Sequence, residues 1–550
     1  MSDLHFLTIA QASRLIARRE LSPVELTRAV LARIDALDPQ INSFITVTQD
    51  VALTQARDAE AEISAGRYRG PLHGIPFGVK DVYNTSGILT SAHSRICATN
   101  VPTTDATAVA KLYEQGAVLL GKLATYECAH GGPSFDLPWP PARNPWNPMH
   151  VPGGSSSGAA AAVSAGLAFA ALGTDTGGSI RDPASLSGVI GLKPTFGLVS
   201  RAGVIPNNFS FDYSGPITRT VEDCAIVLNA IAGHDPADPT SARYRVPDYR
   251  AALNRDIKGL RIGVVRHFWE SDLPAGDDMR TAMEDALGDL SRLGASIETV
   301  QMRSLQEYWD VRGIIGESEP FAIHQKDFSE RPRDFGIVIL GRVLPSCLFQ
   351  AVDYIQAQRW RRRMVAEMAP LYKSYDVLVT AATGPAARFD AQRTLSFFDR
   401  WARPNIFAPF NVTGGPALAL CIGFSKGGLP LGMQVAGRPF DEQTVLNVAY
   451  AYEQTAQWKD KHPSLVAGAA PLPIVPPSMT PAPITLDEST RRLVEVMSAR
   501  AGIQLDDTLL ALLCEAAPYA LAMANRISRS LDRFDEPADV FRIEGDKELL

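Results

Sequence analysis

The sequence predicts an α/β fold, in which one large domain contains a mixed β-sheet and a small helical domain follows it. Short apolar runs typical of buried strands alternate with longer amphipathic segments along residues 1–466. Two late apolar runs, 417–424 and 431–437, are joined by a glycine-rich turn and predict an antiparallel pair. A proline-rich stretch then ends this pattern, and purely helical periodicity follows it.

The first elements of the large domain are two helices and a short strand. Thr8 and Ser22 each precede a helix-period apolar stripe and are predicted to be N-caps, with Pro23 at the first position of the second helix. Apolar residues then alternate over 75–79 in a strand that is predicted to end at Lys80. Further buried strands are predicted at 117–123, 260–265 and 376–382.

The C-terminal region divides into a linker, 467–484, and a helical tail, 485–550. Six prolines within residues 467–483 predict an extended, semi-rigid linker. In the tail, Thr485 is the expected N-cap of the first helix, Gly502 its end, and Pro518 the start of a separate helix. About 65 residues bury too little surface to be stable alone, so the tail is expected to pack on the large domain or on a partner.

Composition narrows the range of functions. A net charge of −7 gives no basic field for nucleic acid. The opening "MSDLHFLTIAQ" does not resemble a signal peptide, and the Ala-rich stretch 158–173 is too short to span a bilayer. The six cysteines are far apart, and the histidines form neither HExxH nor H-x3-H. The sequence therefore predicts a cytoplasmic protein with reduced thiols, no metal and no membrane contact.

The stretch "GTDTGGSIRDPAS", residues 173–185, allows two interpretations. Clusters of Gly, Ser, Thr and Asp are the ordinary residues of a polar turn. The same stretch could expose Ser179 as a nucleophile, since the two preceding glycines leave room for a reacting group beside the backbone. Residues elsewhere in the chain that could assist a nucleophilic serine are needed to choose between these two interpretations.

A second Gly-Ser loop, "VPGGSSSGAAAA" at 151–162, lies shortly before the first. A flexible linker is disfavoured because a dense apolar helix follows. A nucleotide loop is disfavoured because the lysine of GxxxxGK[ST] is missing, and the G-x-S-x-G elbow of α/β-hydrolases fits only loosely. The remaining interpretation makes Ser155 a serine that relays protons.

Lys80 ends an apolar strand, and this position also has two interpretations. Most lysines at strand ends are charged and at the surface. A lysine that is desolvated at the end of a buried strand instead loses its charge, because burial lowers its pKa by several units, and it can then act as a base. Lys80, Ser155 and Ser179 together provide a base, a relay and a nucleophile.

These segments resemble the amidase signature family. The resemblance rests on "GIPFGVKD", "VPGGSSSGAAAAVSAG", "ALGTDTGGSIRDPASLSGVIGLKPTFGLVSRAGVIP" and "GPITRTVEDCAIVL", and it extends over roughly residues 5–465. It implies an α/β/α sandwich with a central mixed β-sheet and a Ser–cisSer–Lys triad. Ser179 is then the nucleophile, Ser155 the bridging serine after a cis peptide bond, and Lys80 the base. No cofactor is implied.

The family pattern also suggests how the substrate is held. The backbone N–H groups expected to form the oxyanion hole are those of Thr176, Gly177, Gly178 and Ser179. Arg181 and Asp182 are expected to brace the loop, and recognition of a charge on the substrate is the alternative role for them. The substrate-binding residues are predicted to come from 126–131, 315–335 and the "FNVTGG" loop, with Tyr126, His130 and Phe410 as candidates. For each of these three, ordinary packing is an equally good interpretation.

The sequence leaves the substrate open. The leading hypothesis is a stand-alone hydrolase of a small aliphatic, aryl or carbamoyl amide. A homodimer is one form that this hydrolase could take. The alternative is the glutaminase-type A subunit of an amidotransferase, although 207–216 read "NNFSFDYSGP" where an "ASSLDQ"-type stretch is expected. A non-catalytic assembly protein is the third. The tail, including "DEPADVF", resembles the small subunit of carboxybiuret hydrolase, which favours a self-contained hydrolase.

Overall fold

In the part of the chain that the structure describes, eleven strands form one mixed sheet at the centre of the protein. The structure is a computed structural model that describes residues 4–391, 399–458, 460–474, 476 and 485–537. The strand order is β1-β3-β2-β4-β6-β5-β10-β11-β9-β7-β8. The strands are β1 Phe44–Val47, β2 Pro76–Lys80, β3 Val118–Leu123, β4 Ala170–Asp175, β5 Ile190–Lys193, β6 Tyr213–Thr218, β7 Arg261–Val264, β8 Ser296–Thr299, β9 Val377–Ala381, β10 Ala417–Phe424 and β11 Pro430–Gly437.

Parallel and antiparallel pairs occupy different parts of this sheet. β3, β2 and β4 pair in parallel, as do β9, β7 and β8. The central strands from β4 to β9 pair antiparallel. Every residue of β2 and β4 is buried, as expected for strands covered on both faces.

Helices flank the sheet, and they confirm the predicted α/β class. The helices are α1 Ile9–Ala17, α2 Pro23–Ile41, α3 Gln49–Ser64, α4 Thr107–Glu114, α5 Ser157–Ser164, α6 Arg181–Ser187, α7 Val221–Ile231, α8 Asp277–Arg292, α9 Leu305–Glu330, α10 Ile337–Val343, α11 Ala351–Ser374, α12 Asp399–Ala402, α13 Ala408–Thr413, α14 Glu442–Glu453, α15 Glu488–Arg500 and α16 Asp507–Arg526. The predicted caps are confirmed, since Thr8 and Ser22 accept from backbone N–H groups at the starts of α1 and α2. The four predicted strands and the antiparallel pair are also present.

Two predictions for the tail are wrong. The N-cap of α15 is Asp487, whose carboxylate accepts the Thr490 N–H at 2.9 Å, while Thr485 lies outside the helix. Pro518 does not begin a new helix but lies inside the continuous helix α16. A proline inside a helix costs about 3 kcal/mol, and the buried residues on either side of it, such as Leu513 and Met523, provide packing that opposes this loss.

The tail packs on the large domain, in agreement with one of the two predicted outcomes. Arg526 at the end of α16 donates to both oxygens of Asp310 on α9, at 2.7 and 2.8 Å. Met523 lies against Gly313 on the same helix, where a Cβ atom would approach its sulfur to 2.5 Å. "DEPADVF" lies largely outside the described residues. Helix α9 is therefore held between the tail and the sheet domain.

Helix α16 is also apolar and long enough to cross a membrane. Among the described residues it is the one helix that meets both criteria, and the bent pair 337–348 and 351–374 would count as a second span. Both segments lie well beyond the Ala-rich stretch 158–173, the one stretch that the sequence had offered as a possible span. Much of α16 is buried against the protein, as in a core helix.

Candidate active site

Lys80 lies at the end of β2 with its side chain fully buried. Its Nζ donates to the hydroxyl of Ser155 at 2.7 Å and to the hydroxyl of Thr174 at 2.7 Å. Burial lowers the pKa of Lys80 to about 7, against the opposing effect of the carboxylates of Asp212 and Asp175. A substantial fraction of this amine is therefore neutral near pH 7.

Ser155 lies in the loop that precedes α5, directly after a cis peptide bond between Gly154 and Ser155. The carbonyl of Ser155 accepts the Tyr126 N–H at 3.1 Å, and the Gly154 N–H donates to Asp182 at 3.0 Å. These contacts join the loop to β3 and its following turn on one side and to α6 on the other. The serine hydroxyl is held beside Lys80 by backbone contacts on both flanks.

Ser179 lies between β4 and α6 and is partly exposed, unlike the buried Lys80 and Ser155. The neighbouring Ser156 connects the two serine loops: its N–H donates to the carbonyl of Ser179 at 3.1 Å, and its hydroxyl donates to the carbonyl of Thr174 at 3.1 Å. The structure therefore brings the loops of Ser155 and Ser179 together at the Lys80 end of β2.

Asp175 organises the turn that carries Ser179. Its carboxylate accepts the N–H groups of Gly178 at 2.8 Å and Ile180 at 3.2 Å. It also forms an ion pair with Arg181 at 2.9 Å and accepts the amide of Asn411 at 2.8 Å. Burial alone would raise the pKa of Asp175, but the Arg181 charge and these donors hold it well below its usual range.

The predicted bracing residues brace this turn. Arg181 donates to Asp175, to the Phe407 carbonyl and to Asn411. Asp182 accepts from Gly154 and from the hydroxyl of Thr383 at 2.6 Å, so it links the Ser155 loop to the segment after β9. Both side chains are therefore engaged in contacts that hold the two serine loops and the segments around them together.

The two glycines before Ser179 have crowded surroundings. Gly178 has φ +116°, and a Cβ there would meet the Phe407 ring at 2.7 Å. A Cβ at Gly177 would meet the guanidinium group of Arg312 at 3.1 to 3.3 Å. The turn thus needs glycine both for its conformation and for the close approach of its neighbours.

The three predicted substrate residues have different surroundings. Tyr126 lies over Gly154, where a Cβ would meet its ring at 2.3 Å, so it packs on the Ser155 loop. Phe410 is 1% exposed in α13, and packing explains it. His130 is buried and hydrogen-bonded through both ring nitrogens, to Asn207 at 3.0 Å and Glu317 at 2.6 Å.

His130 is part of a buried ionic group, the Glu317 cluster, which consists of His130, Arg312, Glu317 and Arg342. Arg312 and Arg342 donate to the same oxygen of Glu317, at 3.0 and 3.2 Å, and His130 contacts the other oxygen. Burial opposes ionisation of Glu317, but the charges of His130 and Arg342 prevail and lower its pKa to about 2. Glu317 is therefore ionised throughout the physiological range.

Sequence reasoning missed Thr174, Asp175, Asn411 and Arg312. Thr174 and Asp175 lie in the quoted "GTDTGGS" stretch, and their nearness to Ser179 in sequence was a usable signal. Asn411 lies in the "FNVTGG" loop that was predicted to bind substrate. Arg312 comes three residues before the predicted region 315–335, and nothing local in the sequence distinguishes it from a surface arginine.

Within the described part of the chain, no group of three or more His, Cys, Asp or Glu side chains could hold a metal ion.

The chain is similar to known proteins over most of its length. A family model described as Amidase matches residues 25–446. The A subunit of the glutamyl-tRNA(Gln) amidotransferase from Geobacter sp. (strain M21) is 40% identical over 480 residues, covering 83% of this chain and 98% of that protein. Its counterpart from Moorella thermoacetica is 39% identical, covering 84% and 99%.

Solved structures show the same similarity. The peptide amidase of Stenotrophomonas maltophilia has a TM-score of 0.73 and 32% identity, covering 84% of this chain and 99% of its own. A structure described as a vestigial protein complex that reveals the origins of an s-triazine catabolic enzyme has a TM-score of 0.76 and 32% identity, covering 82% and 98%.

Proposed function

The chain belongs to the amidase signature family, and from this premise we propose that it cleaves a linear amide C–N bond through an acyl-enzyme on Ser179. Ser155 is the bridging serine and Lys80 the base. The observation that carries the proposal is the 2.7 Å contact between Lys80 Nζ and the Ser155 hydroxyl, made by a fully buried amine. Its pKa near 7 makes it a base at neutral pH.

The proposed reaction moves one proton in each direction. Neutral Lys80 takes the proton of Ser155, which takes that of Ser179 as the Ser179 Oγ attacks the amide carbonyl. When the C–N bond breaks, the proton returns through Ser155 to the leaving amine. Water then attacks the acyl-enzyme by the same route, which releases the acid and restores Ser179.

Backbone N–H groups would stabilise the oxyanion of each tetrahedral intermediate. The predicted donors are Thr176, Gly177, Gly178 and Ser179. The Gly178 N–H already donates to Asp175 in this structure, so we propose that the other three carry this role. Tyr126 and His130 remain proposed neighbours of the substrate.

A second candidate function concerns the identity of the amide. The relatives named above are A subunits of an amidotransferase and match nearly their whole length, which favours a glutaminase that supplies ammonia to a partner. The stretch 207–216 differs from the "ASSLDQ"-type sequence expected of such a subunit, and this difference favours the stand-alone hydrolase instead. Tyr213 in this stretch is buried in β6 and donates to the Asn411 carbonyl at 2.9 Å.

One set of measurements tests both candidates. Ammonia release is followed from glutamine and from a panel of aliphatic, aryl and carbamoyl amides, with the purified full chain. Turnover by the chain alone supports the stand-alone hydrolase, whereas glutamine cleavage that needs an added partner supports the amidotransferase role. A substitution of the nucleophile tests the mechanism itself. We expect Ser179→Ala to abolish turnover and to block labelling by a fluorophosphonate. A Ser179→Ala variant with undiminished activity refutes the proposed mechanism.

The cytoplasmic location and the homodimer stay predictions.

A further inference from the structure

Asp212 lies directly before β6, and the strand register places it on the same face of the sheet as Thr174. Thr174 on β4 is opposite Ser214 on β6, so the next position of β4 on this face is Thr176, opposite Asp212. The Thr176 hydroxyl indeed donates to the Asp212 carboxylate at 2.6 Å. Residues opposite each other share a face of a sheet, as do residues two apart on a strand. These four side chains therefore lie on one face.

The same face carries the amine of Lys80. Its Nζ donates to the Thr174 hydroxyl at 2.7 Å, and Asp212 is the diagonal neighbour of Thr174, at a distance of about 7 to 8 Å. Thr174 and Asp212 also line one cavity. Burial lowers the pKa of Lys80, and the charge of Asp212 opposes this effect more than the charge of Asp175 does. Asp212 therefore acts on Lys80 through its charge and not through a hydrogen bond.

The two carboxylates near Lys80 differ in their own partners. Asp175 forms an ion pair with Arg181 at 2.9 Å, so its charge is largely offset. Asp212 accepts hydrogen bonds from three neutral donors, which are the Thr176 hydroxyl at 2.6 Å and the N–H groups of Asn207 at 2.9 Å and Asn208 at 2.8 Å. No cationic side chain of the described residues forms an ion pair with Asp212 within 4 Å.

The other ionisable side chains around this end of the sheet are paired or have pKa values that keep them uncharged. They are the ion pairs of Arg201 with Asp238 at 3.7 Å and of Lys122 with Asp81 at 3.6 Å, the hydroxyls of Tyr83 and Tyr213, whose pKa values burial raises, and Lys193, whose pKa burial lowers. Among these described groups, Asp212 is the carboxylate near Lys80 whose charge is not offset.

The proposed reaction creates a buried cation at this place. Lys80 is neutral before the attack and becomes an ammonium when the proton of Ser179 reaches it through Ser155. A charge that forms away from water is unfavourable unless a fixed opposite charge stabilises it. We propose that Asp212 is a positioning residue that supplies the counter-charge for this ammonium and thereby sets the strength of Lys80 as a base. The inference rests on the proposed function, in which Lys80 is the base for Ser179.

The pH dependence of Ser179 labelling by a fluorophosphonate tests this proposal without a substrate. In the wild type, the second-order rate constant of labelling should rise with pH to a plateau, with a midpoint near the Lys80 pKa of about 7. Asp212→Asn removes the charge and nearly keeps the shape, so the ammonium is less stable and the midpoint should fall by about one unit or more. The plateau should fall about 3- to 10-fold, because a weaker base assists the attack less.

A matched control is Asp238→Asn. Asp238 lines the same cavity as Asp212 and also accepts backbone N–H groups and a threonine hydroxyl. Its charge is paired with Arg201, so this variant should leave the midpoint within about 0.3 of a unit of the wild-type value. Asp212→Glu retains the charge, and its midpoint should lie closer to the wild-type value than that of Asp212→Asn.

Melting temperatures show whether each variant folds. If Asp212→Asn does not fold, Asp212→Ser provides a smaller neutral side chain at the same position, and its midpoint should fall in the same way. A lower plateau with an unchanged or raised midpoint in the neutral variants would mean that Asp212 only supports Thr176 and the catalytic turn, and would overturn the proposal while the proposed function stands. If instead Ser179 is not labelled and Ser179→Ala loses no turnover, the proposed function itself has failed.

Discussion

Two buried lysines on adjacent strands, Lys80 on β2 and Lys122 on β3, have contrasting surroundings. Both side chains have no exposed surface, and desolvation lowers both pKa values, to about 7 and about 8. Lys122 lies 3.6 Å from the carboxylate of Asp81 and donates to the Tyr83 carbonyl and to the hydroxyls of Thr85 and Thr90. Lys80 also donates to two hydroxyl groups, but among the described residues neither a carbonyl nor a carboxylate lies at hydrogen-bond distance from its amine.

The comparison shows that burial alone does not make a base. A carboxylate and a carbonyl can only accept, so they favour the charged form of Lys122 and hold it as a structural cation. A serine hydroxyl can also donate, so neutral Lys80 can take its proton and relay it. The partner atoms, and not the depth of burial, separate the proposed catalytic lysine from the structural one.

The largest expected effect comes from Lys80→Met. Removing the base should lower kcat by about 10³-fold or more, because proton transfer by a positioned group contributes about 10²- to 10⁴-fold and the triad acts as a unit. Steady-state kinetics on any amide that the wild type cleaves gives the measurement. The unfolding midpoint in urea should change little, because no carboxylate of a described residue lies at hydrogen-bond distance from the buried amine that the variant removes. A variant that keeps a tenth of the wild-type kcat would contradict the role of Lys80.

The next effect is on stability and comes from Lys122→Met. The substitution leaves Asp81 buried without its cation, which should cost about 3 to 5 kcal/mol of unfolding free energy. Urea denaturation measures this loss, and kcat of the folded enzyme should stay near the wild-type value. The double variant Lys122→Met/Asp81→Asn should recover part of the stability. If activity falls by more than the fraction of folded protein does, Lys122 takes part in the reaction. It would then not differ from Lys80 in the way proposed here.

The pH dependence of kcat/KM is the third test. Lys80 is a base only when it is neutral, so kcat/KM should rise about tenfold per unit below pH 7 and level off above it. Between about pH 5 and pH 8 the rise should approach about 100-fold. Lys122→Met should not move the midpoint by more than about half a unit, since the charge it removes is paired with Asp81. A midpoint above about pH 9 would show that Lys80 stays charged.

Much of the fold and of the candidate site could be predicted from sequence, because local signals carried them. The strand before Lys80 and the caps at Thr8 and Ser22 follow from patterns within a few residues of each. The position of Lys80 at the end of an apolar strand made it a candidate base, but Lys122 lies in an equally apolar strand. The resemblance to a family then assigned the role of base to Lys80. Pro518 was misplaced for the opposite reason, since tertiary packing overrode a strong local rule.

The smallest expected effect comes from Thr174→Val. This substitution removes one of the two hydroxyls beside Lys80, while the side chain keeps almost the same shape. The lost acceptor had stabilised the ammonium form, so the pKa of Lys80 and the midpoint of the pH profile should fall below about 7. The lost hydrogen bond should also lower kcat by about tenfold, since it helps to orient the amine towards Ser155. Thr174→Ser keeps the hydroxyl and should restore both values. If the midpoint instead rises in Thr174→Val, the Thr174 hydroxyl favours the neutral form of Lys80. Thr174 would then differ from the acceptors around Lys122, which favour the charged form of that lysine.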